Sequence, residues 1–323
     1  MPILLTPAGL EGYFKQFCTP APALTLPPPA EVPYADVTNP NSVVAFISNA
    51  HDSTQAKNGL EWSTHRFVSK HPAKLATAMN TTDLNHEWIR LSPAWIKQAR
   101  THTMPSRDGL LDKPMLAACG DVRGLSILDS GCGEGRFCRI LLDRGSERVL
   151  GVDLCEPMIN AARELQSGKD TYRVADAEDL SFLDDHSFDL AVSYLNQCDL
   201  CDFKANTREV FRVLKPGGRF VIANVHPMRS AVGEWHTTCE GAKQHVILDH
   251  YFDESERHWR MLDCDFTNFH RTLATYVNGF RKSGFLIDDI IEPSVDAEGL
   301  ARFPELADEL RVPNFIVFVL NKP

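Results

Sequence analysis

Hydrophobic and polar residues alternate along the middle of the chain with two different periods. From Leu125 to about Asn224, short apolar runs typical of buried strands alternate with stretches in which apolar residues recur every three or four positions, as in a helix. This alternation predicts an α/β fold with a parallel sheet and right-handed crossovers. Helical periodicity returns at 271–283, and apolar runs at 285–291 and 313–320 predict the last two strands.

The beginning of the chain lacks this periodicity. Residues 1–55 are rich in proline, and we interpret them as an N-terminal arm with a short helix around residues 9–17. Two interpretations of the arm stay open. It is either a flexible tail or an arm that wraps the body or a neighbouring subunit, which would form a homodimer.

Two further segments complete the predicted domain organisation. Residues 56–120 favour a helical cap, with one helix capped at Thr82-Asp83 and a second over 108–119. Residues 121–323 form the predicted main domain. Within it, residues 228–268 break the strand–helix alternation and concentrate histidine, tryptophan and tyrosine, so we predict a small antiparallel insertion there that forms a ligand pocket.

Charge and cysteine usage narrow the class of protein. A formal net charge of −10 argues against a nucleic-acid partner, which usually requires a basic face. No run of 18 apolar residues exists, the N-terminus lacks signal-peptide features, and nine cysteines show no framework spacing. We therefore predict a cytoplasmic protein without a membrane partner. Cys198-x-x-Cys201 lacks a second ligand pair, so no metal is predicted.

A strand that turns through glycines into a helix carries the strongest chemical signal. The strand ends at Asp129, and Gly131, Gly133 and Gly135 follow at alternate positions. Glycines there let a ligand lie against bare backbone. The third glycine of a dinucleotide fingerprint would fall on Arg136, and the Gly-Lys-Ser/Thr of a P-loop is absent. An acid beside the loop suits a ligand with a positive amino group and would repel a pyrophosphate.

Together with later motifs, this loop resembles that of the class I S-adenosylmethionine-dependent methyltransferases, in particular the type 11-like small-molecule enzymes. Five segments match in order: 127–137, 149–153, 172–179, 187–194 and 209–220. The resemblance covers roughly residues 84–320. It implies a Rossmann-like, doubly wound sheet of seven strands, mostly parallel with the last strand antiparallel. It also implies S-adenosyl-L-methionine as cofactor and S-adenosyl-L-homocysteine as product.

The resemblance also assigns roles to individual residues. Asp153 would accept both ribose hydroxyls, Asp176 would hold the adenine amino group, and the Ala177 N–H would meet the ring. The full expected cofactor-binding set is Asp129, Ser130, Gly131, Cys132, Gly133, Gly135, Asp153, Leu154, Met158, Asp176, Ala177, Glu178, Ser193 and Tyr194. The alternatives are a tight turn without a ligand, a solvated acid at Asp153 and a helix cap at Asp176.

We expect the acceptor pocket to be formed by the 228–268 insertion together with residues near the ends of the fourth and fifth strands. Related methyltransferases often line the acceptor pocket after the fifth strand and before the following helix, where His226 and His270 stand. We expect these two imidazoles and Tyr194 to orient or deprotonate the acceptor, with Trp88 as a cover. For each histidine, a packed or surface imidazole remains the alternative.

The sequence thus predicts methyl transfer to a small-molecule acceptor at an oxygen, nitrogen, sulfur or carbon atom. One alternative is a catalytically silent cofactor-binding scaffold or sensor. Another is a nucleic-acid or protein methylase. Nucleic-acid amino methylases of this fold often carry Asn/Asp-Pro-Pro-Tyr/Phe after the fourth strand, whereas residues 193–196 read Ser-Tyr-Leu-Asn.

Overall fold

Helices precede the sheet in the computed structural model, which describes residues 80–231 and 233–323. They are α1 (Thr81–Thr101), a π-helix (Pro105–Leu111) and α2 (Asp112–Cys119). The Asn80 side chain caps α1 by accepting hydrogen bonds from the backbone N–H groups of Thr82 (3.0 Å) and Asp83 (3.1 Å). The helix therefore begins before the predicted cap, and the helix predicted over 108–119 is split by the π-helix. The predicted arm and residues 56–79 of the predicted cap lie outside the described residues.

A seven-stranded sheet forms the centre of the described residues. Its strands are β1 (Ser126–Ser130), β2 (Arg148–Asp153), β3 (Asp170–Val174), β4 (Phe188–Tyr194), β5 (Leu214–Val225), β10 (Leu286–Ile291) and β11 (Phe315–Asn321), and their order is β10-β11-β5-β4-β1-β2-β3. Strand β11 runs antiparallel to both its neighbours, and the other pairings are parallel. The predicted fold class is therefore confirmed.

Helices cover both faces of this sheet and bury two apolar cores. They are α3 (Arg136–Asp143), α4 (Glu156–Glu164), α5 (Phe203–Val213), α6 (Pro227–Ser230), α7 (Leu273–Lys282), α8 (Ala297–Arg302) and a 3₁₀-helix (Pro304–Leu310). Ile127 of β1 enters the core under α2 and α3, whereas the next residue, Leu128, enters the core under α5 and α7. Successive side chains of a strand point to opposite faces, so the unbroken apolar run of β1 reflects burial on both.

Two hairpins interrupt the alternation where the sequence predicts an antiparallel insertion. Strands β6 (Gly233–Thr237) and β7 (Lys243–Leu248) pair antiparallel, as do β8 (Glu256–Met261) and β9 (Cys264–Phe269). Strand β9 packs against α1: the Glu87 carboxylate accepts hydrogen bonds from the backbone N–H (2.8 Å) and hydroxyl (3.2 Å) of Thr267. Within the described part of the chain, no helix combines the length and hydropathy needed to cross a membrane.

Candidate active site

A cavity lies at the carboxyl edge of the sheet, where β1, β2 and β4 end. It comprises about 1060 Å³ of space, including its open mouth. Its floor is formed by the loops that follow these strands, and α1 and the π-helix cover it with Trp88, Trp95 and Arg107. Ligands of open α/β sheets bind at this edge because strand ends and helix N-termini converge there.

Most of the expected cofactor-binding residues meet in this cavity. Those on its wall are Asp129, Gly131, Cys132, Gly133, Asp153, Leu154, Met158, Asp176, Ala177, Glu178 and Tyr194. Three others are not part of the wall: Ser130, Gly135 and Ser193. The Ser130 hydroxyl instead accepts a hydrogen bond from Asn206 Nδ2 (2.8 Å) beneath the loop.

Glycine is required at positions 133 and 135 of the loop for different structural reasons. A Cβ at Gly133, where φ is +54°, would point into the cavity, with Trp95 Nε1 3.9 Å away as its nearest neighbour. This glycine therefore leaves room for a ligand against the backbone. A Cβ at Gly135, where φ is +78°, would collide with the Tyr172 hydroxyl at 2.6 Å. Gly135 thus serves the packing of the loop on β3.

Asp153, at the end of β2, holds the glycine loop in place. Its Oδ2 accepts a hydrogen bond from the Gly133 N–H (2.8 Å), and its Oδ1 accepts one from the Cys155 N–H (2.9 Å). Burial raises the pKa of this carboxyl, and the two N–H donors oppose the shift. Each oxygen keeps a further lone pair that can accept a hydrogen bond from a ligand.

Asp129 is the most buried acid of the site, with 1% of its surface exposed. Its Oδ2 accepts a hydrogen bond from the Cys138 thiol (3.1 Å), whereas Oδ1 has no partner among the described residues. Burial, helped by the nearby Asp153 charge, raises the pKa of Asp129 to about 7. An unpartnered buried carboxyl oxygen is costly unless a ligand supplies a donor.

Arg107 is a wall residue for which the sequence contains no motif. Its guanidinium lies 4.4 Å from the centre of the Trp95 ring and 5.5 Å from that of Tyr194. Within the described structure it has neither a hydrogen-bond acceptor nor an ion pair, unlike Arg136, which pairs with Asp108 and Asp112. Burial lowers the pKa of Arg107, but a guanidinium remains charged in proteins. Its free donors make it an anion-binding group.

Asp199 is another wall residue that the sequence analysis did not predict. It lies in the loop between β4 and α5, five residues after Tyr194, with no motif of its own. Its Oδ1 accepts hydrogen bonds from Asn268 Nδ2 and from the Cys198 thiol (3.5 Å). Burial raises the pKa of Asp199 to about 7.

Acidic groups outnumber basic groups on the described wall of the cavity. Six carboxyl groups (Asp129, Glu134, Asp153, Asp176, Glu178 and Asp199) face two guanidinium groups (Arg107 and Arg136). A cavity with this excess favours a ligand that carries positive charge and disfavours polyanions.

Comparisons with known proteins agree with this geometry. A family model described as a methyltransferase domain matches residues 128–222. The crystal structure of an S-adenosylmethionine-dependent methyltransferase from Mesorhizobium loti has 33% sequence identity and a TM-score of 0.58, and the match covers 65% of this chain and 96% of that one. The chain belongs to the class I S-adenosylmethionine-dependent methyltransferases.

Two curated relatives extend the comparison of this methyltransferase. An uncharacterised protein of Haemophilus influenzae is 28% identical over 58% of this chain and 78% of its own length. Malonyl-[acyl-carrier protein] O-methyltransferase of Salmonella typhimurium is 35% identical over 42% of this chain. The match spans about half of that enzyme, 54% of its length.

The methyltransferase uses S-adenosylmethionine as its cofactor, and the cavity fits this molecule. The cofactor carries a methyl group on a positive sulfur, together with an ammonium and a carboxylate. The acidic wall suits the two positive groups. In the described part of the chain, Oδ1 of Asp129 has no donor and Arg107 has no anionic partner. Gly133 leaves the backbone open beside them.

The structure does not bring His226 or His270 to the wall of this cavity. His226 Nδ1 accepts a hydrogen bond from the Met228 N–H (3.1 Å), so Nε2 carries the proton and donates it to Glu292 (3.0 Å). His270 Nε2 lies 2.8 Å from the Tyr251 carbonyl and Nδ1 lies 2.7 Å from the Ser230 hydroxyl. Burial lowers the pKa of both imidazoles. Each is a packed, fully hydrogen-bonded side chain.

The other expected acceptor-site residues are partly in place. Trp88 lines the cavity, as predicted, and packs edge-to-face on Trp95 with ring centres 5.3 Å apart. Tyr194 also lines it, but its hydroxyl donates to Asp112 (2.9 Å), and burial raises its pKa well above the usual value. The 228–268 insertion contributes no residue to the wall in the described structure.

Proposed function

We propose that this enzyme transfers the methyl group of S-adenosylmethionine to a small molecule bound in the cavity beneath α1. The observation that carries this proposal is the wall itself. The glycine loop and the strand-end acids share one cavity with the paired indoles of Trp88 and Trp95. A covered, aromatic pocket suits a small acceptor, whereas a nucleic acid or a protein surface would need an open groove.

We place the cofactor along the carboxyl edge of the sheet. Asp153 accepts hydrogen bonds from the ribose hydroxyls, and Asp176 and Ala177 bind the adenine. Asp129 accepts a hydrogen bond from the ammonium. Arg107, which no sequence motif indicates, binds the carboxylate of the methionine part. Support comes from the unpartnered oxygen of Asp129 and the unpaired guanidinium on the same wall.

The acceptor lies between the methionine part and the indoles. Orientation of two bound reactants can contribute several kcal/mol to a reaction that needs only the alignment of a nucleophile with a methyl group. The relative from Salmonella typhimurium is named as an O-methyltransferase. Its similarity supports oxygen as the acceptor atom.

Calorimetry with S-adenosylhomocysteine tests the cofactor position. Asp153→Ala removes the acceptor for both ribose hydroxyls and should weaken binding by about 1.5–3 kcal/mol, the range for hydrogen bonds to a charged group. Asp288→Ala is the matched control, because Asp288 is an exposed acid on β10 far along the sheet from β2. Unchanged affinity in Asp153→Ala would rule out the ribose assignment.

Labelled methyl transfer tests the acceptor class. Tritiated cofactor is incubated with the enzyme and panels of metabolites, total RNA and a protein lysate. Label in an extractable small molecule supports the proposal. Label confined to RNA or protein contradicts it.

A further inference from the structure

We propose that Asp199 is the general base of the reaction, so the acceptor presents a hydroxyl or an amine that must lose a proton. This inference rests on the proposed function, since it assigns a residue for a small acceptor in the same cavity. Carboxylic acids are already ionised at neutral pH, and thiols, with a pKa of about 8.5, ionise readily, so neither class depends on such a base.

The contacts of Asp199 hold one oxygen and leave the other available. Asn268 Nδ2 and the Cys198 thiol both donate to Oδ1. Among the described residues Oδ2 has no hydrogen-bond partner, and Asp199 lines the cavity. The Phe269 N–H donates to the Cys198 carbonyl (2.7 Å), which ties β9 to this loop. The carboxyl is therefore held in orientation through Oδ1, while Oδ2 stays available to accept a hydrogen bond in the cavity that Asp199 lines.

The surroundings give this carboxyl a suitable basicity. Burial raises its pKa to about 7, the Cys198 and Asn268 donors and the Arg107 charge oppose the shift, and Asp153 adds to it. A base is most effective when its pKa lies near the working pH. An ordinary aspartate, with a pKa near 3.9, would be a weaker base at neutral pH.

The other titratable wall groups are less suited to this role. Asp129 lies at the glycine loop, where the cofactor is proposed to bind. The Tyr194 hydroxyl is engaged with Asp112, and Glu178 accepts a hydrogen bond from the Asp202 N–H (2.9 Å). Burial raises the pKa of the Cys132 thiol to about 11. No histidine lines the cavity among the residues that the structure describes.

The step balances without another reactant. Asp199 takes the proton of the acceptor O–H or N–H as the lone pair of that atom forms a bond to the methyl carbon. The sulfur–methyl bond breaks, and its electron pair stays on sulfur as a neutral thioether. Asp199 later returns the proton to water.

The test compares Asp199→Asn with Asp202→Asn in the full-length enzyme. Asparagine keeps the shape of both side chains, and Asp202 lies in the same loop as the cap of α5, a role that asparagine also fills. Tritiated cofactor is used with a panel of phenols, alcohols, amines, thiols and carboxylic acids. We expect a phenol, an alcohol or an amine to be methylated. We also expect Asp199→Asn to lower kcat by ~10²–10⁴-fold, while Asp202→Asn remains active.

Two readouts separate a base from a structural residue. For the wild type with saturating cofactor, kcat/KM for the acceptor should rise with pH and level off above about 7, because only ionised Asp199 is active. Asn268→Ala removes a donor to the ionised carboxyl, so the rise should move to higher pH even if Asp199→Asn folds poorly. S-adenosylhomocysteine affinity should change less than about threefold in Asp199→Asn, because a general base acts on the acceptor.

Three results would overturn the inference in distinguishable ways. Methylation confined to carboxylic acids or thiols, or a normal rate in Asp199→Asn, contradicts the base and leaves the proposed function intact. Loss of S-adenosylhomocysteine binding in an Asp199→Asn variant that keeps the wild-type Tm makes the residue a cofactor ligand. A wild-type enzyme that binds S-adenosylhomocysteine but methylates nothing in the panel contradicts the proposed function and the inference together.

Discussion

The pKa values of the buried acids Asp129 and Asp170 depend on neighbouring hydrogen-bond donors as well as on burial. Although burial raises the pKa of Asp170, hydrogen bonds from the amide and hydroxyl of Ser167 and from the Tyr172 hydroxyl outweigh it, and the pKa is lowered. Among the residues that the structure describes, Asp129 has only the Cys138 thiol as a donor, and its pKa rises to about 7. Asp170 is therefore ionised at neutral pH, whereas the Asp129 carboxyl of the free enzyme titrates near neutral pH.

Cofactor binding should release a proton from Asp129. A positive ammonium beside the carboxyl favours its ionised form, so the pKa falls below its value of about 7 in the free enzyme. Calorimetry with S-adenosylhomocysteine at pH 6.5, in two buffers of different ionisation enthalpy, measures the protons released. We expect release from the wild type and from Asp288→Asn, and a reduced release from Asp129→Asn.

The same shift makes Asp129 a cost to the stability of the free enzyme. The unfolded carboxyl ionises near pH 3.9 and the folded one near 7, so stability falls as pH rises between these values and then stays level. Asp129→Asn should therefore flatten this part of the stability curve. A proton release equal to that of the wild type in Asp129→Asn would place the ammonium elsewhere.

Single residues at the site differ in how far the sequence predicts them. Asp129 and Asp153 each stand near the carboxyl end of an apolar strand. Because these strands are parallel neighbours, the topology brings the two acids together at the sheet edge. Arg107 and Asp199 are not part of any recognisable sequence motif. Only the described structure shows which of their atoms have no hydrogen-bond partner. His226 and His270 lie where related enzymes bind acceptors, but position along the chain does not give the direction of a side chain.

At the scale of elements, the cover of the cavity depends on contacts at both ends of α1. Near its start, Glu87 accepts two hydrogen bonds from Thr267 of β9. Near its end, Arg100 donates to the Ala161 carbonyl (2.9 Å) and to Glu164 (2.8 Å) of α4. The insertion predicted to form the acceptor pocket thus affects the cavity indirectly, because its strand β9 positions α1, the helix that carries the indoles.

Weakening the contact between α1 and β9 should loosen the cover. Glu87→Ala leaves the Thr267 N–H without its acceptor but removes no wall residue, since Glu87 does not line the cavity. We expect weaker binding of S-adenosylhomocysteine and faster amide exchange in the first half of α1. Lys97→Ala, an exposed change on the same helix, is the control. Wild-type affinity and exchange in Glu87→Ala would mean that β9 does not hold the cover.

Helices and strands could be predicted where the apolar pattern was distinctive, but their exact ends and the π-helix could not. The last two strands were predicted at 285–291 and 313–320, close to β10 and β11, because buried apolar runs stand out between turns. The start of α1 was misplaced because Thr82-Asp83 also fits a cap, and Asn80 lies just before it. The π-helix was missed because apolar spacing over 108–119 is compatible with one continuous helix.

At the scale of the whole molecule, the excess of negative charge should discriminate against anionic ligands. A net charge of −10 and an acidic cavity repel polyanions. S-adenosylhomocysteine should raise the Tm, since a ligand at a hundred times its Kd adds about 2.7 kcal/mol to stability. NAD should leave the Tm unchanged, because Asp129 and Arg136 depart from the dinucleotide fingerprint. Thermal unfolding with both ligands is the measurement, and an equal shift from NAD would contradict the prediction.

The π-helix also determines which changes of chain length the enzyme can tolerate. A π-turn holds one more residue than an α-turn, and each residue of a helix rotates its side chain by about 100°. Deleting one residue between Arg107 and Asp112 would let α2 extend backwards as a regular helix and would rotate Arg107 away from Trp95, while Asp112 kept its place. Relatives that have lost this residue would therefore need another cation for the anion that we propose Arg107 binds. Insertions and deletions in this short segment, more than substitutions, should then mark where the family changes how it binds its ligands.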